Sequence, residues 1–311
     1  MDILVSGSLA YDRIMSFGGN FSDHIMPEKT HVINISFMVD RMVENFGGTA
    51  GNIAFALAML GEQSRIRATI GRDHDLYFRW LEKHGISTSS ILVVEDELTA
   101  SAFITTDQAD NQITGFNPGA MKFSAGDDLA GVDARDAIAI ISPGNGDDMV
   151  GYAEAYRNMG LPFIFDPGQS IPGLSAEQLL SGIRGSRLLI ANDYEIEMIL
   201  RKVETETADL LELTESIITT RGEHGAVISE PDGENSIPAL PLAEAVDPTG
   251  AGDAFRAGLI KGLIESKDLV ACAEMGTVAA AYAVEVYGTQ TYSYTEEEFK
   301  TRYEQHFGPL Y

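Results

Sequence analysis

Short apolar runs of strand length alternate with stretches of helical period along most of this chain. Ile3-Leu4-Val5, Ala137–Ile141, Phe163–Phe165, Leu188–Ala191 and Ile217–Thr220 each read as a buried strand ending in small or polar residues. Between them lie helical patterns: Asn52–Leu60, apolar almost all round; Asp75–His84, closed by Gly85; and Met149, Tyr152, Ala153 and Tyr156, closed by Gly160. Such alternation predicts an α/β fold with a central, mostly parallel sheet flanked by helices on both faces. Two regions break the rhythm. Residues 13–46 and 91–123 carry Val32–Phe37 and Ala102–Thr105 as strand-like runs with no helical period between them, which predicts a small separate sheet. Residues 1–12, 47–90 and 124–311 then make up the large domain.

In open parallel sheets ligands bind beyond the carboxyl ends of the strands. Ser142-Pro143-Gly144-Asn145, Asp166-Pro167-Gly168-Gln169, Asn192-Asp193-Tyr194-Glu195 and Thr220-Arg221-Gly222-Glu223 all follow strand ends and are expected on one rim. The first strand runs into Gly7-Ser8-Leu9-Ala10-Tyr11-Asp12, which lacks the three-glycine dinucleotide fingerprint, and no GxxxxGK[ST] loop occurs. A Rossmann dehydrogenase is therefore disfavoured and a P-loop kinase excluded.

The segment Asp247-Pro248-Thr249-Gly250-Ala251-Gly252-Asp253-Ala254-Phe255 leads directly into a helical pattern. Its two glycines let backbone N–H groups converge, and the helix adds its own unpaired N–H groups and positive dipole end. The result is an anion cradle with a carboxylate, Asp253, at its mouth. A loop that only binds phosphate gains nothing from that charge, so the acid points to proton abstraction beside a phosphate; the alternative is an Asp that merely caps the helix. DPTGAGD resembles the C-terminal signature of the ribokinase-like, or PfkB, family of small-molecule kinases, and the resemblance covers essentially the whole chain in order. It implies a large α/β domain with a β-sheet lid made from two early insertions. It also implies Asp253 as the catalytic base for a substrate hydroxyl, and the amides of Gly250, Ala251 and Gly252 as stabilisers of the transferred phosphoryl group.

Gly47-Gly48-Thr49-Ala50-Gly51-Asn52 matches the family's N-terminal signature, in which Gly47, Gly48 and Asn52 hold substrate hydroxyls; alone it reads as a flexible turn with Asn52 near a helix start. The family counterpart of Asp12 accepts hydrogen bonds from two sugar hydroxyls. Ser8 adds a polar contact or is simply a small residue at a strand end. Asn192 and Glu195 fit the Asn-x-x-Glu motif, with Asn192 near the nucleotide phosphates and Glu195 organising hydrated Mg²⁺ through water; a helix start capped by Asn192 with Glu195 at its third position is compatible with this. Thr220, Gly222 and Gly225 resemble the TxGxxG hairpin beside ATP, although a strand and tight turn also account for them. The resemblance thus implies ATP as co-substrate and Mg²⁺ as cofactor. A monovalent cation such as K⁺ at Asp247 and the carbonyls flanking Thr249 and Gly288 stays open, the alternative being that Asp247 braces the turn.

Family resemblance implies a reaction class and leaves the acceptor open among sugars and nucleosides. Gly7–Asp12, the Asp166–Gln169 turn and Asp247-Pro248 look like bacterial adenosine-kinase-like members, so transfer to the adenosine 5′-hydroxyl, giving AMP, is the expectation. A sugar kinase of the ribokinase or fructokinase type is the alternative, and a non-catalytic sensor on the same fold a third reading. Phe37, Phe103 and Phe116 are aromatic faces for a base, or core of the lid strands. Gln112 falls where some adenosine kinases carry an Arg that reaches the transferred phosphate, leaving Arg41 or Lys122 as substitutes.

The formal charge of −26, from 47 acidic against 21 basic residues, repels nucleic acid and anionic lipid, so neither is an expected partner. The same field repels free nucleotide and calls for local compensation by a divalent cation. A single cysteine, Cys272, sits in the apolar helical stretch Leu269–Val286, and the histidines lack zinc-binding spacing. The first residues lack the basic start and long apolar run of a signal peptide, and no stretch reaches transmembrane length, so a cytoplasmic protein is expected. Monomer and homodimer both stay open, because exposed lid edges permit either.

Overall fold

The computed structural model describes residues 1–25, 36–109 and 111–309. After β1 (Asp2–Ser6) the chain makes a detour through β2 (Ala10–Ser16) and β3 (Arg41–Gly47) before its first helix, α1 (Thr49–Met59). A βαβ unit follows, made of β4 (Ser64–Gly71), α2 (Asp75–Lys83) and β5 (Ile91–Val94), and then a second detour through β6 (Ala100–Thr106) and β7 (Gln112–Asn117). Alternation resumes with β8 (Ala137–Ile141), α3 (Gly146–Met159), β9 (Phe163–Phe165), α4 (Ala176–Ile183), β10 (Leu188–Asn192), α5 (Asp193–Val203), α6 (Thr207–Leu210) and β11 (Ser216–Thr220). The chain closes with β12 (Ala226–Glu230), β13 (Gly233–Ile237), α7 (Ala251–Ile264), α8 (Leu269–Val284) and α9 (Glu296–Phe307).

Among the described residues nine strands form the large sheet, in the order β13-β12-β11-β10-β9-β8-β1-β4-β5. All neighbours are parallel except β11 with β12 and β12 with β13. Strand order runs outward in opposite directions from the β1–β8 boundary, the switch point at which such sheets open a crevice. Side chains alternate across the sheet as a strand requires. Ile3 and Val5 join α1, α7 and α8 in one core, whereas Leu4 joins Tyr152, Tyr156 and Phe163 in the other. Each strand expected for this sheet is present at its expected place.

The second sheet has the order β3-β2-β6-β7, with β2 antiparallel to β3 but parallel to β6, and β6 antiparallel to β7. Its limits differ from those read off the sequence. β2 begins at Ala10, so Asp12, grouped above with the large domain, rides on the small sheet. Ile91–Val94, grouped with the small sheet by its lack of helical period, pairs instead with β4, because the helix that precedes it completes a crossover. Of the strand expected over Val32–Phe37, residues 32–35 lie outside the described residues, and Ser36 and Phe37 are not in a strand.

Helices α7 and α8 are buried almost all round and pack closely through glycines. A Cβ on Gly258 would stand 2.4 Å from the Met275 carbonyl oxygen, and one on Gly262 2.8 Å from Cys272 Cα. Among the described residues no helix is long and apolar enough to cross a membrane. Gly258→Ala is expected to lower stability by about 1–3 kcal/mol through overpacking. Gly151→Ala, at an exposed position of α3 with nothing near its new methyl group, should gain about 0.5–1 kcal/mol; urea midpoints of the two variants check both signs.

Candidate active site

A cleft of about 470 Å³ opens beyond the carboxyl ends of β1 and β8, roofed by the small sheet. The N-termini of α1 and α7 converge on it. Each is led by a glycine in a conformation that side chains disfavour, Gly48 at φ +88° and Gly250 at φ +81°. At Gly48 space demands glycine as well, since a Cβ would lie 2.6 Å from the Ser8 carbonyl oxygen. The positive ends of two helix dipoles therefore face one cavity, with the Thr49 and Ala50 N–H groups of α1 bonded to Ser8.

Asp253 lies in the first turn of α7 and lines the cleft. It does not cap the helix, because Gly250 occupies the cap position. Asn52 Nδ2 donates to Asp253 Oδ2 at 2.7 Å. Burial, aided by Asp166 and Asp12, outweighs the pull of Arg256 and of the Asn52 hydrogen bond and leaves the Asp253 carboxyl raised to about 6. Asp12 is likewise raised to about 6 by burial and by Asp247. A carboxylate of this basicity can accept a hydroxyl proton near neutral pH.

Behind Asp253 runs a buried ion pair. Arg256 bonds both oxygens of Asp166, with Nη2 to Oδ1 at 2.7 Å, and Nη1 donates to the Gly252 carbonyl at 2.9 Å. This ties the first turn of α7 to the end of β9. Burial opposes the Arg256 charge, but Asp166 more than restores it and holds the guanidinium above its ordinary range.

Ser8, Asp12, Gly48, Asn52, Gly250 and Asp253 all line this cleft. Gly47 stands directly beside Asp12, where a Cβ would lie 2.3 Å from Oδ2. Ala251 and Gly252 form the first turn of α7 with Asp253. Ser8 Oγ accepts from the Thr49 N–H at 3.1 Å, so its visible task is to secure the start of α1. Asp12, Ala102 and Phe116 are successive cross-strand partners on the small sheet, and all three line the cleft in one row. Phe103 instead stacks under the Arg13 guanidinium, and Phe37 packs on Phe17 and Phe21.

Asn192, Glu195, Thr220, Gly222 and Gly225 occupy the same rim farther along, beyond β10 and β11. Asn192 and Glu195 form a reciprocal capping box, with both bonds at 2.8 Å. Burial raises the Glu195 carboxyl, the Asn192 N–H opposes this, and Asp166 adds to it. Gly225, at φ +79°, leaves no room for a Cβ against the Ile237 carbonyl. Asp247 accepts from the Thr249 N–H at 2.9 Å and the Gly288 N–H at 3.1 Å, which braces the turn. Burial pushes its carboxyl up, but these bonds prevail and hold it below the usual range. Lys122 is paired with Glu97, and Arg41 is exposed at the start of β3.

Asp166 was expected on the rim but without its partner, and sequence reading missed Arg256, Trp80 and Gln290. Arg256 alone left a signal, as a charged residue within an otherwise apolar helical run.

The chain matches the pfkB family carbohydrate kinase profile over residues 12–296, from the Asp12 strand past both glycine-led helices. It belongs to the pfkB family. It is 33% identical over 299 residues to a nucleoside kinase of Methanocaldococcus jannaschii, covering 95% of this chain and 98% of that protein. The structure of Burkholderia thailandensis nucleoside kinase in complex with inosine is similar with a TM-score of 0.87 and 38% identity, covering 99% of this chain and 98% of that one. The same enzyme in complex with ADP-inosine gives a TM-score of 0.84 at 38% identity, covering 98% and 96%. As a pfkB-family kinase, the chain is a phosphotransferase with a hydroxyl acceptor.

The raised carboxyls carry a pH signature. Asp12 binds its proton more tightly folded than unfolded, so the folded state is favoured below about pH 4 and loses that advantage as pH rises to about 6. Asp12→Asn is therefore expected to stabilise the ligand-free protein at pH 8 by up to ~3 kcal/mol, with the gain vanishing towards pH 4. Denaturant unfolding of both proteins at the two pH values checks this.

Proposed function

We propose that this pfkB-family member is an ATP- and Mg²⁺-dependent nucleoside kinase that phosphorylates the 5′-hydroxyl of a purine nucleoside, adenosine foremost. The observation that carries the proposal is Asp253, held by Asn52 where the N-termini of α1 and α7 meet. Asp12, Gly48 and Asn52 bind the ribose. Across the cleft, Phe116 and Met121 offer apolar faces that suit a stacked base and would gain little from a small polar sugar. Strand spacing puts Phe116 about 10 Å from Asp12, two strands away. The nucleoside-kinase relatives support this acceptor class, and the inosine complex makes inosine the second acceptor to test.

Asn192, Thr220, Gly222 and Gly225 serve the nucleotide on the neighbouring part of the rim. Glu195 is a half-buried carboxylate at a helix start with one oxygen engaged by Asn192, a donor suited to holding Mg²⁺ through its retained waters. When bound, Mg²⁺ neutralises phosphate charge. Asp253 takes the hydroxyl proton, the amides of Gly250 to Asp253 stabilise the charge on the moving phosphoryl group, and the small sheet acts as a lid that excludes water.

ADP release with Mg-ATP, measured over adenosine, inosine, cytidine, ribose, fructose and 2-keto-3-deoxygluconate, is expected to depend on adenosine, with inosine second. Turnover with ribose or fructose alone would overturn the nucleoside reading. Asp253→Asn should keep nucleotide binding and lose at least ~10²-fold in kcat; near-normal turnover in that variant would remove Asp253 from the base role.

A further inference from the structure

An amide side chain can present either its oxygen or its nitrogen, and which one Asn52 turns to Asp253 decides whether it supports or opposes the carboxylate's charge. The orientation is set by residues behind the cleft wall. The indole N–H of Trp80, on α2, can only donate, and it meets Gln290 Oε1 at 2.8 Å. That directs the Gln290 amide nitrogen to the Asn52 Oδ1, at 2.9 Å, and to the Tyr77 hydroxyl, at 3.1 Å. Tyr77 in turn donates to the Gly47 carbonyl at 2.7 Å. With its oxygen engaged as an acceptor, Asn52 has only its nitrogen left for Asp253.

We propose that Gln290 is a positioning residue: oriented by Trp80, it fixes the Asn52 amide so that an N–H, and not a lone pair, faces Asp253. The proposal rests on the base role assigned to Asp253 above. The relay is buried, with Gln290 3% and Asn52 5% exposed, so water does not substitute freely for a missing partner. It also accounts for Gly51. A Cβ there would stand 2.0 Å from the Tyr77 hydroxyl and 3.2 Å from Gln290 Nε2, so the third glycine of the N-terminal signature clears the space that the relay occupies. A reversed Asn52 would set its carbonyl oxygen against a carboxylate, two acceptors with no proton between them. The other groups acting on Asp253 are Arg256 on its own helix, Asp166 after β9, Asp12 on β2, and the hydroxyls of Tyr77 and Tyr292. Of these only the Tyr77 hydroxyl touches Gln290, and none of them touches Trp80 through a hydrogen bond, so Trp80→Phe leaves their polar contacts in place.

The test uses the full-length enzyme with its best acceptor and follows kcat, acceptor KM and the pH profile of kcat. Gln290→Glu keeps the shape but, when ionised, accepts on both sides and so favours the reversed Asn52. It is expected to lower kcat about tenfold, with KM changed by less than about threefold, and to move the acid limb of the profile to higher pH. Trp80→Phe adds no charge and keeps an aromatic ring against Phe46; it frees Gln290 to reverse and should move the same limb in the same direction, with kcat lowered about threefold. Melting temperatures establish that each variant is folded, and should Gln290→Glu not fold, Trp80→Phe decides alone. An unmoved acid limb in Trp80→Phe overturns the relay, even if Gln290→Glu shifts it through its added charge. Asp253→Asn separates the two proposals: full turnover there overturns the base role and the relay together, whereas its loss beside an unmoved Trp80→Phe limb overturns the relay alone.

Discussion

The arrangement depends on keeping a carboxylate usable in a place with little water. Asp253 needs burial for its basicity, yet burial alone would hold it protonated. Arg256 and the Asn52 N–H supply the opposing influence. Much else follows from that balance. The Arg256 charge must itself be compensated, which Asp166 does, and the pair then fixes the first turn of α7 against the sheet. Removing either partner would leave an unpaired buried charge, a change that typically costs about 3–5 kcal/mol. Electrostatics and placement of the anion cradle are thus parts of one structure.

The sheet supplies the location. Strand order reverses direction between β1 and β8, so the loops after these strands diverge and leave a crevice that helix termini can fill. Ser142, Pro143 and Ser8 converge there on Thr49, whose hydroxyl donates to the Pro143 carbonyl at 2.8 Å. The start of α1 is therefore fastened to both switch-point strands, and Asn52 inherits that position one turn later.

Most of the large sheet was legible in the sequence because a parallel strand covered on both faces reads as a continuous apolar run. β4 was not, since Arg65 and Arg67 interrupt it, and β5 was too short to declare its sheet. The two glycine-rich turns pointed to the cleft because glycine there answers a local backbone demand that neighbouring residues make visible. Trp80 and Gln290 had no such signature. They are separated by 210 positions and acquire meaning only through the hydrogen bond that folding creates. Asp12, grouped by its sequence position with the large domain, lies on the small sheet, because a strand that leaves one sheet for another looks the same in sequence as a turn.

The row Asp12, Ala102, Phe116 has a consequence of its own. Its spacing is the repeat of a hydrogen-bonded sheet, a length that no single substitution can stretch. The row works as a ruler laid across the cleft, with a polar mark at one end, an apolar mark at the other and a small residue between. On the proposed nucleoside assignment such a ruler measures the distance from hydroxyls to a flat ring, so selectivity would drift in which ring is accepted while the length of the accepted molecule stayed under the control of the backbone.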